Sequence, residues 1–161
     1  MKEKLKRAMM DAISNVFETM FFLPMEFSQL TGIENFLRVE EKGVLTCILD
    51  FNGPFSGKVV LFIPAVLAIP LTADFMGVES DTLSKDHVTG TVKEIVNMIA
   101  GSMFINYDDK SVFDLAIPKM ATFEKACKED PASKESLFLG VKTPDSKFAL
   151  KIELTHILSD N

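Results

Sequence analysis

Apolar residues recur at helical spacing over residues 4–22, where Leu5, Met9, Ile13, Val16, Phe17 and Met20 fall on one side and Pro24 stops the segment. Residues 36–40 and 44–51 read as a hairpin around Glu41-Lys42-Gly43. Asn52-Gly53-Pro54 and Ser56-Gly57 mark the next reversal. Residues 58–63 form a β-branched and aromatic run, the pattern of a buried strand. Residues 65–76 read as a short helix ending at Gly77, with Pro70 expected to kink or restart it. Residues 112–117 are extended and lead into Pro118, and the charged stretch 124–134 reads as an exposed loop. Residues 136–141 and 147–154 form a last hairpin across Pro144-Asp145. In its second strand Phe148, Leu150, Ile152 and Leu154 alternate with Ala149, Lys151 and Glu153, which predicts one buried and one exposed face.

The segment 88–103 is the most distinctive. With successive residues about 100° apart, Val88, Val92, Ile95, Val96, Ile99 and Met103 share an arc of about 100° suited to a core. Glu94 and Asn97 lie on the opposite side, with Gly90 one turn before them and Gly101 one turn after. A glycine inside a helix costs about 1 kcal/mol against alanine. Two of them in line with a carboxylate and an amide describe a bare stripe that another surface can approach closely. Ser84 is a candidate N-cap for this helix, Asp86-His87 lie in its first turn, it should end near Asn106, and Asp108-Asp109-Lys110 make a turn.

The order helix, strands, helix, helix, strands predicts an α+β fold of long helices packed on an antiparallel sheet. It also hints at a pseudo-two-fold repeat. The first helix carries Ser14, Glu18 and Phe21 at the spacing with which the later one carries Gly90, Glu94 and Asn97. The first copy thus has a phenylalanine where the second has its asparagine.

The length of 161 residues fits a single domain, residues 1–161, with a real core. The 14 Phe and 9 Met, with no Trp and one Tyr, suit an adaptable core better than a base-stacking surface. A net charge of −6 repels phosphate backbones and argues against nucleic acid. The longest apolar run, residues 59–71, is broken by Pro64 and Pro70 and is too short for membrane insertion. The first residues lack a signal peptide's apolar region. Two cysteines make no disulfide framework: Cys47 reads as buried filler and Cys127 as an exposed free thiol, which suits the cytoplasm.

Self-contained catalytic motifs are missing. There is no phosphate-cradling glycine loop with its lysine, no Cys-x-x-Cys and no His-Glu-x-x-His. His87 and His156 read as capping or surface histidines, and Asp108-Asp109 as a solvated turn rather than a cation site. With no metal ligands and no cofactor of its own, such a chain would complete a site that another molecule largely provides. A small-ligand or lipid pocket under the Phe and Met residues is a further option, with no ligand singled out.

The helix with Glu94-x-x-Asn97, the strand Gly57-Lys58-Val59-Val60-Leu61-Phe62 before a proline-bearing short helix, and Pro118 resemble the CheC/CheX/FliY group of chemotaxis phosphatases over about residues 10–154. One intact motif makes the chain more similar to CheX than to CheC. Two departures stand out. Gly90 occupies the family's Asp or Ser position, and 20 residues separate Asn97 from Pro118, two fewer than in the family's pattern. The resemblance implies hydrolysis of the aspartyl phosphate on a CheY-type receiver domain that carries its own Mg²⁺ and lysine. Asn97 would orient the attacking water and Glu94 would pair with the receiver's lysine. Gly90, Gly101 and Lys93 would meet the partner, the Ser14/Glu18 side would be inactive, and the protein would be a homodimer joined through its sheets. The competing reading is a docking module without catalysis, as in the middle domain of flagellar switch proteins.

Overall fold

The computed structural model describes residues 1–37 and 43–157. Helix α1 (Lys2–Phe21) is followed by strand β1 (Glu26–Gln29), then by β2 (Val44–Asn52) and β3 (Phe55–Pro64). Helix α2 (Ala65–Met76) and the long α3 (Lys85–Tyr107) come next. The chain closes with short strands β4 (Asp114–Leu115) and β5 (Lys119–Ala121), helix α4 (Phe123–Cys127), and strands β6 (Glu135–Lys142) and β7 (Lys147–Ile157). All pairings are antiparallel. The sheet order is β1-β6-β7-β3-β2-β4, and β5 pairs with β2 further along the edge that β4 occupies.

This order explains the internal echo in the sequence. Each long helix is followed by one hairpin, β2-β3 after α1 and β6-β7 after α3. The two hairpins meet through their second strands, β3 against β7. That is the layout of a two-fold repeat. Helices α1, α2 and α3 cover one face of the sheet. Leu5, Met9, Ile13 and Phe17 of α1 and Val92, Ile95, Val96 and Ile99 of α3 are buried against Leu61, Leu150 and Ile152. Phe17 stacks on Phe148 with ring centroids 4.7 Å apart.

The other face differs from the sequence reading. Ala149, Lys151 and Glu153 are buried, so β7 has no exposed face. Ile33, Leu37 and Ala126 cover it, packed with Val60 and Phe62. The stretch 124–134 is correspondingly not a plain exposed loop. Thr122 accepts the Lys125 N–H and starts α4, which lays Ala126 on the sheet. Lys151 donates to the Ala126 carbonyl and pairs with Glu153 at 2.6 Å. Asp130, held below the usual carboxylate range by the Ala132 N–H and by Lys58, ties down the end of the segment through a 3.0 Å pair with Lys58. Cys127 is half-buried instead of exposed, and desolvation pushes its thiol up to about 11.

Phe36 and Leu37 lie in a turn in which both N–H groups donate to Ile33, not in a strand; the rest of the expected strand and turn, residues 38–42, lies outside the described residues. Helix α2 runs through Pro70 without restarting. Pro70 is exposed there, so water can serve the carbonyl that loses its N–H partner. Among the described residues no helix is long and apolar enough to cross a membrane.

Candidate functional site

Helix α3 is 23 residues long, about 34 Å at 1.5 Å per residue. Ser84 caps it as its sequence predicts: Ser84 Oγ accepts from the His87 N–H at 3.2 Å, and the Ser84 N–H donates to His87 Nδ1 at 3.1 Å. His87 therefore serves the cap, in the place a Glu or Gln usually takes. The six residues assigned to the core stripe are all buried, joined by Thr91, Ala100 and Phe104. Burial of that side fixes the rotation of the helix and leaves the opposite stripe outward.

Glu94 is exposed and Asn97 half-buried on that stripe. Among the described residues neither side chain has a hydrogen-bond or ion-pair partner. A Cβ placed on Gly90 or Gly101 would meet nothing within 4 Å. The two glycines are thus not demanded by packing inside the chain; they leave open ground on either side of the carboxylate and the amide. Lys93 sits about 100° around the helix from Glu94. It is half-buried and close enough to the Cys47 thiol to oppose, by its charge, the burial that pushes that thiol up to about 11. Lys93 thus follows Gly90 by one turn, on the flank of the stripe nearest Cys47 of β2.

The stripe continues beyond Gly101 in a way the sequence reading missed. Ile105, one turn further, is 67% exposed. It borders a cleft of about 320 Å³ walled by Gly101, Phe104, Val112, Phe113 and Leu115. The signal was present in the sequence, since Ile105 follows Gly101 at the spacing that relates Asn97 to Gly101.

The first copy shows no comparable arrangement. Phe21, the counterpart of Asn97, is the last residue of α1 and is buried against Phe17 at 5.5 Å between centroids. Ser14 is half-buried and Glu18 exposed, but no amide accompanies them. Among the described residues no group of three or more His, Cys, Asp and Glu is placed to hold a metal ion.

Residues 45–142 match the family model of the chemotaxis phosphatase CheX. No curated protein matches the chain. Among solved structures, the CheX–CheY–BeF3–Mg²⁺ complex of Borrelia burgdorferi contains a chain of TM-score 0.71 and 23% identity, covering 92% of this chain and 96% of that one. A CheC-like chemotaxis protein of Shewanella oneidensis reaches TM-score 0.74 at 16% identity, with 96% and 99% covered. FliY of Thermotoga maritima reaches 0.61 at 14%, with 91% and 84% covered. The helical stripe, the sheet it lies on and the match over most of the sheet agree: the chain belongs to the CheX family of chemotaxis phosphatases.

Proposed function

We propose that this protein hydrolyses the aspartyl phosphate of a CheY-type response regulator, inserting Glu94 and Asn97 into the receiver's active site. The observation that carries the reading is the state of the α3 stripe. A carboxylate and an amide without partners among the described residues stand one turn apart on a capped helix, between two glycines with open space above them. The Borrelia burgdorferi relative in complex with CheY, BeF3 and Mg²⁺ supports a receiver as the partner, with BeF3 standing in for the phosphoryl group.

The chemistry suits a chain that shows no metal-holding cluster among its described residues. In the reaction a water oxygen bonds to phosphorus while the bond to the aspartyl oxygen breaks, giving inorganic phosphate and a free carboxylate. Phosphoryl transfer of this kind depends on positioning and charge neutralisation more than on a strong base. The receiver brings the Mg²⁺ and a lysine. Asn97 brings an amide, whose oxygen accepts from the water while its NH₂ donates, so the water is held in line without losing its proton first. Glu94 pairs with the receiver's lysine and sets the register of the helix. Gly90, in place of the family's Asp or Ser, keeps the preceding turn open and gives up one polar contact.

The chain acts on this reading as one cytoplasmic domain, residues 1–161, and as a homodimer through the free edges of its sheet; light scattering tests the last point. The phosphatase assignment itself is tested by the decay of a phosphorylated CheY-type receiver from the same organism. Wild type should shorten its lifetime, and Asn97→Ala and Glu94→Ala should each lose about 100-fold of that acceleration while staying folded, the scale expected when a reacting water is mispositioned. Binding of the receiver without any change in decay would leave a docking module and end the phosphatase reading.

A further inference from the structure

We infer that the cleft at the C-terminal end of α3 receives one apolar side chain of the receiver, making Ile105, Val112 and Leu115 determinants of which receiver this protein accepts. The inference rests on the docking of the receiver at Glu94 and Asn97. Ile105 lies two turns beyond Asn97, about 12 Å along the helix, and Gly101 between them adds no side chain to the path. A body seated on Asn97 is therefore carried over the cleft without obstruction. The cleft and the catalytic stripe share Gly101 as a common border.

The cleft is a built feature. Phe104 and Phe113 stack at 4.3 Å between centroids and 17° between planes, and Phe51 and Phe55 pack against both. The connection after α3 is pinned at several points. Asp108 accepts from the Lys110 N–H at 3.0 Å and from Ser111 Oγ. Leu115 pairs with Phe51 across β4 and β2, and the Ala116 N–H donates to the Asp50 carbonyl at 2.9 Å. Leu115 stands opposite the buried Phe51, which puts it on the helical face of the sheet, toward Ile105. Yet Ile105, Val112 (77% exposed) and Leu115 remain open to solvent. A tightly tied connection that holds Val112 and Leu115 outward next to Ile105 of α3, beside a stripe read as a docking face, fits a partner that covers all three. A volume of about 320 Å³ is enough for a large apolar side chain and its approach, and too little for a helix.

The test uses the full chain with a CheY-type receiver phosphorylated by acetyl phosphate, and compares Ile105→Asp, Val112→Asp, Ile105→Leu and, as a control on the exposed side of α2, Val66→Asp. Both cleft variants should raise KM at least tenfold with kcat within about twofold of wild type and an unchanged melting temperature. Ile105→Leu and Val66→Asp should behave as wild type. Unchanged KM in both cleft variants, or the same rise in Val66→Asp, overturns the inference while the phosphatase reading stands. If wild type does not accelerate decay, titration with the BeF3-loaded receiver takes over. Wild-type binding that the cleft variants weaken tenfold then upholds the cleft alone, and wild-type binding they leave unchanged, or no wild-type binding at all, overturns it.

Discussion

At the scale of single residues, the contrast between Asn97 and Phe21 carries the functional argument. Both occupy the same place in their copy of the repeat. Asn97 sits mid-helix with turns on both sides, so its backbone is fixed and its half-buried amide stays on the outward stripe. Phe21 sits at the end of α1 and has turned into the core. Another residue-scale feature, the buried pair Lys151 and Glu153, was hidden from the alternation pattern of β7. Two charges on what reads as the polar side of a strand look solvated until α4 is laid over them. Removing one partner strands the other in a dry site. Lys151→Met should therefore cost about 3 to 5 kcal/mol, whereas Lys151→Met with Glu153→Leu should be close to neutral. Urea unfolding of the two single variants and the double variant checks this; equal losses in the single and double variants would mean the pair is not what ties α4 down.

At the scale of elements, helix ends were legible whether a side chain or the backbone makes the cap, as Gly77 does in its left-handed conformation at the end of α2. Ser84 announced the start of α3 through a side-chain acceptor. The end of α1 is set instead by Phe22, which takes a left-handed conformation at φ 53° with its side chain 85% exposed. That conformation disfavours a residue with a Cβ, and exposure means little burial is gained in return. Phe22→Gly should raise stability by about 0.5 to 1 kcal/mol, read as a higher midpoint in denaturant; a lower midpoint would show that the phenylalanine ring is held by something worth more than the backbone relief. Strand β1 was missed because its four residues, Glu-Phe-Ser-Gln, are too few and too polar to show alternation; its pairing with β6 creates it. The short helix α4 was missed for the related reason that five residues form a helix only against a surface that buries one of them.

For the whole molecule, the covering of both sheet faces has a measurable consequence. The chain's two cysteines fall on opposite sides of the sheet, Cys47 among the residues beneath α3 and Cys127 as the last residue of α4 on the other side. Desolvation raises both thiols to about 11, so at pH 8 almost no thiolate is present in the folded protein. Alkylation with iodoacetamide at pH 8 should be slow for both, Cys127 reacting first on loosening of α4 and Cys47 only on global unfolding. The sign of the pH effect follows from linkage. The folded thiols hold their protons above the pH at which unfolded thiols lose them, so this contribution to stability is intact below about pH 9 and declines between about pH 9 and pH 11. Thermal unfolding across that range checks it, and a melting temperature unchanged up to pH 11 would show that neither thiol is buried as described.

Local patterns were enough to define the core face of α3, its cap, strands β2 and β3 with the reversal between them, the β6-β7 hairpin and the Glu94–Asn97 stripe, because each rests on spacing within a few neighbouring residues. The hidden charge pair, the half-buried Cys127 and the approach of Lys93 to Cys47 depend on segments far apart in the chain coming together, and the cleft beside Ile105 on the tie between the connection after α3 and β2. Periodicity says which side of an element is apolar. Only packing says what lies over the other side, and here a second layer over the sheet and a pinned connection after α3 made that difference.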